Sequence, residues 1–160
     1  VGAGVNEPVR YRIGQIAEHL GVSTRTLRYY EELGLLTPSG YSTGGSRRYD
    51  EADRARIIRI RELQAVMGFN LDEIKEILGS EDRLGQLKSE VHKGVTPNRH
   101  QAIVAEAMRL NAQMQEQVRN KIAVLETFEA ELKDKEVRYR ARAAELGVDV
   151  AAKATAPRAR

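Results

Sequence analysis

Arg25, Arg28 and Tyr29 crowd into one short segment, with Thr24 beside them, and Arg47-Arg48-Tyr49 follows a little further along the chain. Each guanidinium is a planar fork of donors that matches a base edge or a phosphate in two places at once, and a phenol adds one more donor and acceptor. Such a set is suited to nucleic acid. A single arginine on a helix is more often a solvated surface charge, so the weight of this reading depends on the elements that carry these residues.

Ser23 is a good N-cap for a helix beginning at Thr24, and Gly34 is a good residue to follow its end at Leu33. On that helix Leu27, Tyr30 or Glu31, and Leu33 or Gly34 fall near helical spacing, so Leu27 with Leu33 can face inward, leaving Arg25, Arg28 and Tyr29 around the other side. Upstream, Ile13, Ile16, Ala17 and Leu20 form an apolar stripe at helical spacing, followed by Gly21-Val22. Two short helices joined by a glycine-containing turn make a helix-turn-helix, a pattern that many helical hairpins share without touching DNA. Downstream, Pro38, Gly40, Gly44 and Gly45 turn the chain, and Arg47-Arg48-Tyr49 reads as an extended run. The combination is a winged helix-turn-helix with a basic wing root.

Beyond Tyr49 the pattern is helical. Asp50 is an N-cap with Asp53 at N3, and Ile57, Ile60, Leu63, Val66 and Met67 make the inward stripe of a helix that Gly68 stops. Arg54, Arg56, Arg59 and Arg61 spread around it; one or two are candidates for the phosphate backbone and the rest for solvent. Asn70 with Glu73 forms a capping box for a second helix that buries Leu71, Ile74, Ile77 and Leu78 and ends at Gly79. Met67 and Phe69 read as core. Leu84, Leu87 and Val91 fit a short amphipathic helix closed by Gly94. Thr96-Pro97 then starts a helix that nothing interrupts before Leu146-Gly147. At about 1.5 Å per residue it would be roughly 75 Å long. Its apolar positions are Ile103, Ala107, Leu110, Met114, Val118, Ile122, Leu125, Phe128 and Leu132, a heptad seam with a stutter between Met114 and Ile122. The expectation is a coiled-coil homodimer through residues 97–132; the alternative is a helix folded back on its own domain.

The segments T-L-R-Y-Y-E-E-L-G-L-L-T-P, R-R-Y-D-E-A-D and M-G-F-N-L-D-E-I-K-E-I-L resemble the MerR family of bacterial transcription regulators, from about Tyr11 to Leu78. The resemblance implies an all-α fold with a small β wing: a winged helix-turn-helix head, a helix pair and a long coiled-coil dimerisation helix, paired antiparallel. It also implies a mechanism, in which a dimer sits on an inverted repeat in a promoter and bends or untwists it so that RNA polymerase, on the same promoter, meets realigned elements. In that frame Arg25 and Arg28 are expected at or near the bases, Tyr29, Arg47, Arg48 and Tyr49 at phosphates, and Thr24 among the DNA-binding residues. Two positions depart from the family pattern. Ser39 stands where members often carry a basic residue, and Arg54 where an apolar one is frequent.

Composition bounds the rest. The chain has 160 residues, no cysteine and no tryptophan, so disulfides, thiolate metal sites and iron–sulfur clusters are excluded. Metal-sensing members of the family carry cysteines near the end of the dimerisation helix. His19, His92 and His100 are dispersed and make a poor metal set, so no metal or cofactor is expected, and a small-molecule effector stays unspecified. Lys153, Arg158 and Arg160 account for the whole net charge of +3, so the nucleic-acid reading rests on where the arginines lie. No apolar run is long enough to span a membrane or form a leader peptide, which leads to an expected cytoplasmic location. No phosphate loop, activated nucleophile or metal cluster argues for an enzyme. The organisation expected is a disordered arm over 1–10, a DNA-binding domain over 11–79, a linker over 80–96, a dimerisation helix over 97–146 and a disordered tail over 147–160. The other function compatible with this head is an architectural protein that coats or bridges DNA.

Overall fold

The computed structural model describes residues 10–148. The chain divides after Met114 into two compact units. Residues 1–9 of the expected arm (1–10) and residues 149–160 of the expected tail (147–160) lie outside the described residues.

The first unit opens with α1 (Ile13–Leu20) and α2 (Thr24–Glu32). Gly21, at φ 61°, takes the left-handed conformation that ends α1, and its N–H and that of Val22 close back on Glu18 and Ala17. Ser23 Oγ caps α2 by accepting the Thr26 N–H at 3.0 Å. Strands β1 (Gly40–Tyr41) and β2 (Arg47–Arg48) pair antiparallel, Gly40 opposite Arg48 and Tyr41 opposite Arg47. An isolated bridge between Tyr11 and Tyr49 widens this wing, with N···O distances of 2.7 and 3.0 Å, and so ties the entry to α1 onto the wing root.

Helix α3 (Glu51–Arg61) starts at the capping box of Asp50 and Asp53. Asp53 is nearly buried, and its Oδ2 accepts both the Asp50 N–H (3.0 Å) and the Ser39 N–H (2.9 Å), clamping the start of the wing to the helix. A π turn, Glu62–Val66, follows, marked by the Met67 N–H reaching back five residues to the Glu62 carbonyl at 3.2 Å. The extra residue in that turn corrects the expected stripe. Ile57, Ile60 and Leu63 are buried, but Val66 is 78% exposed and Met67 41%, because the wider turn rotates them off the inward face. Phe69 is core as expected. The head core collects Ile16, Leu27, Tyr30, Leu35, Tyr49, Ile57, Ile60, Leu63, Ile74 and Leu78 around these helices. Each fully buried aliphatic side chain there contributes about 1.5–3 kcal/mol of burial.

Helix α4 runs from Leu71 to His92 without interruption. The expected stop at Gly79 and linker over 80–96 are therefore corrected. Gly79 and Gly85 lie inside the helix, at a cost of about 1 kcal/mol each relative to alanine. What offsets it is tertiary. Glu81 pairs with Arg59 and Asp82 with Arg56, both at 2.6 Å, while Leu84 and Leu87 pack against the next helix.

Helix α5 spans Pro97–Glu145, with Thr96 Oγ1 accepting the Arg99 N–H at 3.3 Å. Its first part folds back on α4. Ile103 and Leu110 are buried with Leu87, and Leu84, Val91, Val95 and Ala107 pack around them. Two bidentate pairs flank this small core: Arg83 with Glu106 (2.6 and 3.1 Å) and Arg99 with Glu90 (2.6 and 2.8 Å). The fold-back alternative thus holds for the start of the seam. In the second unit, from Gln115, Val118, Ile122, Leu125, Phe128 and Leu132 are each about half exposed. Gly147, at φ 63°, ends the helix with its N–H on the Ala144 carbonyl.

Candidate nucleic-acid interface

Helix α2 buries Leu27 and Tyr30 and presents the residues between them. Thr24, Arg25 and Arg28 are exposed and Tyr29 is 48% exposed. Among the described residues, neither Arg25 nor Arg28 has a side-chain hydrogen bond or ion pair. Two open hollows meet at Arg28. One, of about 650 Å³, runs along α2 and is lined by Ser23, Thr24, Arg25, Tyr29 and Glu32 as well. The other, of about 780 Å³, lies between α1 and the wing and gathers Arg12, Gln15, Glu18, Arg47 and Arg48 around the same Arg28.

The structure therefore brings Arg28, Arg47 and Arg48 together and adds Arg12, which the sequence reading missed. Its signal was its place immediately before α1, where a side chain flanks the first turn. Arg47 is 45% exposed and its Nε lies 2.6 Å from Glu31 Oε2. Arg48 is half-buried, with Nη1 donating to the Arg47 carbonyl at 3.1 Å.

Tyr49 is a correction. Its side chain is fully buried, and it cannot offer a phenol to a phosphate from there. Its backbone is pinned to Tyr11 and its ring enters the head core, where the hydroxyl donates to Glu31 Oε1. Burial, followed by the Glu31 hydrogen bond, drives its pKa far above the usual phenol range, so the group stays neutral. Glu31, its partner, is not a solvated surface charge. It lies one turn beyond Leu27 on the inward side of α2, and its side chain is only 11% exposed.

The α3 arginines are partnered. Arg54 meets Glu51 at 3.4 Å, Arg56 Nε donates to the Leu35 carbonyl at 3.0 Å, Arg59 joins Glu81 and Glu62, and Arg61 donates to the Leu20 carbonyl. The Glu81 hydrogen bond, with that of Glu62 behind it, raises the Arg59 pKa. These cations hold α1, the α2–wing connection and α4 against α3.

Among the described residues no group of three or more histidine, cysteine or acidic side chains is placed to hold a metal. His92 Nδ1 lies 2.7 Å from the Lys88 carbonyl, and His92 and His100 both border an open apolar groove of about 560 Å³ along α4 and the start of α5. No described helix is long and apolar enough to cross a membrane.

The sequence model of the MerR HTH family of regulatory proteins matches residues 11–81. The HTH-type transcriptional activator mta of Bacillus subtilis is 42% identical over 84 residues, which are 51% of this chain and 32% of that protein. The mercuric resistance operon regulatory protein of Bacillus cereus is 39% identical over 75 residues, 47% of this chain and 56% of that protein. The chain thus spans about a third to about a half of the length of these relatives, both named as regulators. Among solved structures, HiNmlR, a MerR-family regulator lacking the sensor domain and bound to promoter DNA, is 25% identical with a TM-score of 0.51, covering 87% of this chain and 96% of that one. A MerR-family regulator from Listeria monocytogenes, 22% identical with a TM-score of 0.52 over 81% of this chain and 86% of its own, shares the fold. The winged helix-turn-helix over residues 11–81, with its arginine-lined α2 face, is thus a domain of the MerR HTH family.

Proposed function

We propose that this chain is a DNA-binding transcription regulator that works as a homodimer on an inverted repeat within a promoter. The observation that carries the reading is the arrangement of unpaired guanidinium groups on α2 beside the basic wing root, Arg28 being common to both hollows. Arg25 and Arg28 take the base edges, with Thr24 and Tyr29 beside them; Arg12, Arg47 and Arg48 hold the backbone. HiNmlR, bound to promoter DNA, supports this use of the fold.

The dimer rests on the exposed seam. Val118, Ile122, Leu125, Phe128 and Leu132 repeat at three- and four-residue steps along α5, as the helices of a coiled coil do. Because Ile103 and Leu110 are occupied by α4, the pairing surface is 118–132 rather than all of 97–132. A two-fold axis through such a pair sets two α2 helices on successive turns of the major groove. Binding then bends or untwists the duplex at the expense of contact energy, and RNA polymerase on the same promoter meets the deformed spacer. The site of action is the cytoplasm.

Selection of genomic fragments on the purified protein, mapped against promoters, tests this. An inverted repeat inside an over-long promoter spacer is the expected result. Broad binding without a repeat would favour an architectural protein, and absence of DNA binding would overturn the reading.

A further inference from the structure

Glu31 holds two parts of the wing at once. One carboxylate oxygen accepts the Tyr49 hydroxyl from inside the core, and the other meets Arg47 Nε at 2.6 Å at the surface. The glutamate is the least exposed member of the ion pair, 11% against 45% for Arg47, so it is the fixed partner and the arginine the adjustable one. It sits on α2, one turn from Leu27 and three residues beyond Arg28. Tyr49 in turn carries the β bridge to Tyr11, immediately before Arg12. A single carboxylate therefore connects α2 to Arg47 at the wing root and, through Tyr49, to the segment that leads into Arg12.

We propose that Glu31 is a positioning residue that couples the α2 face to the wing, holding Arg47 by one edge of its guanidinium so that its remaining nitrogens meet a phosphate only when α2 is seated in the correct groove. The proposal rests on the DNA-binding reading above. Its physical basis is competition. A carboxylate at hydrogen-bond distance and a DNA phosphate are alternative partners for the same cation, and both form charge-assisted hydrogen bonds. With Glu31 in place, Arg47 adds little to binding of an arbitrary duplex. On the right site, where the α2 contacts fix the register, the guanidinium bridges carboxylate and phosphate. The glutamate thereby lowers non-specific affinity and raises discrimination.

Glu31→Gln removes the charge and leaves one acceptor oxygen where there were two. The probes are the tightest duplex recovered from genomic selection and a shuffled duplex of the same composition, each measured across a salt series. Wild type must bind the selected duplex; if it binds neither, the DNA-binding reading fails before the coupling is at issue. For Glu31→Gln, binding of the shuffled duplex is expected to strengthen several-fold, with its salt slope steeper by about 0.9, the value of one added phosphate contact. Discrimination between the two duplexes is expected to fall on the order of tenfold. A glutamate that only stabilised the fold would lower Tm and leave the salt slope and discrimination of the folded protein unchanged, and that result overturns the proposal. Should Glu31→Gln not fold, Tyr49→Phe serves: it keeps the packed ring, deletes one hydroxyl and lets the carboxylate move. It is expected to lower discrimination in the same direction by a smaller factor, and unchanged discrimination there overturns the coupling equally.

Discussion

Two sets of arginines sit side by side in the head and behave differently. Those of α3 are engaged: Arg56 on the Leu35 carbonyl and Asp82, Arg59 on Glu81 and Glu62, Arg61 on the Leu20 carbonyl. Those of α2, Arg25 and Arg28, have no such partner among the described residues and face open hollows. Both sets are arginine at helical spacing, and residue type alone does not separate them. The separation lies in what each helix packs against. Helix α3 is met by α1, the α2–wing connection and α4, whose carbonyls and carboxylates take its cations, whereas Arg25 and Arg28 line open hollows. A cation whose charge is already matched stabilises the fold. One left unmatched is free for a phosphate or a base.

The largest expected effect follows from that difference. Arg25→Ala should cost roughly 1–3 kcal/mol in binding of the selected duplex and relax sequence preference, with Tm unchanged. Quantitative binding to duplex variants, alongside thermal unfolding, checks it. Unchanged affinity and preference would place the reading face elsewhere. The opposite signature is expected on α3. Arg59→Ala breaks a three-member network that braces α3 against α4, and should lower stability by about 1 kcal/mol while leaving sequence preference intact. If Arg59→Ala changed preference at constant Tm, the division between the two sets would be wrong.

Much of this was legible in the residues. Ser23, Asp50, Asn70 and Thr96 cap the helices that they announce, because capping is a contact over three residues and is written locally. Gly79 was misleading for the complementary reason. Glycine ends a helix only where nothing holds the next turn, and here Glu81 and Asp82 are held by Arg59 and Arg56, more than twenty residues away in sequence. Tyr49 was misread as a phosphate contact because β2 is two residues long, too short for alternation to say which neighbour turns inward. Arg47 stayed exposed and Arg48 half-buried while the tyrosine beside them became core. Glu31 had no local signal of its role beyond its place on the inward side of α2, since both of its partners come from the wing.

Arg48→Ala sharpens the contrast within the α2–wing set. A backbone contact carries no sequence information, so affinity should fall alike for selected and shuffled duplexes, and the salt slope should flatten by about 0.9. A loss confined to the selected duplex would instead make Arg48 a base-reading residue and move it beside Arg25.

The smallest expected effect concerns pH and the fold-back of α5 on α4. The Arg99 hydrogen bond holds the Glu90 carboxyl below its ordinary pKa, and the Arg83 hydrogen bond does the same for Glu106. A carboxyl depressed in the folded state contributes stability above its unfolded pKa, and that contribution disappears as pH falls through the folded value. These pairs lie at the surface, so solvent screens them and the gain is small. Arg83→Ala and Arg99→Ala should therefore lower Tm slightly at neutral pH, and the difference from wild type should shrink as pH falls below about 4, where the carboxyls of both proteins become protonated. The same variants should leave DNA discrimination untouched, since neither arginine lies on α2 or the wing. A Tm difference that persisted at pH 3 would mean that the arginines act through their alkyl stems and not through charge, and the α4–α5 joint would then be held by apolar contact rather than by ion pairs.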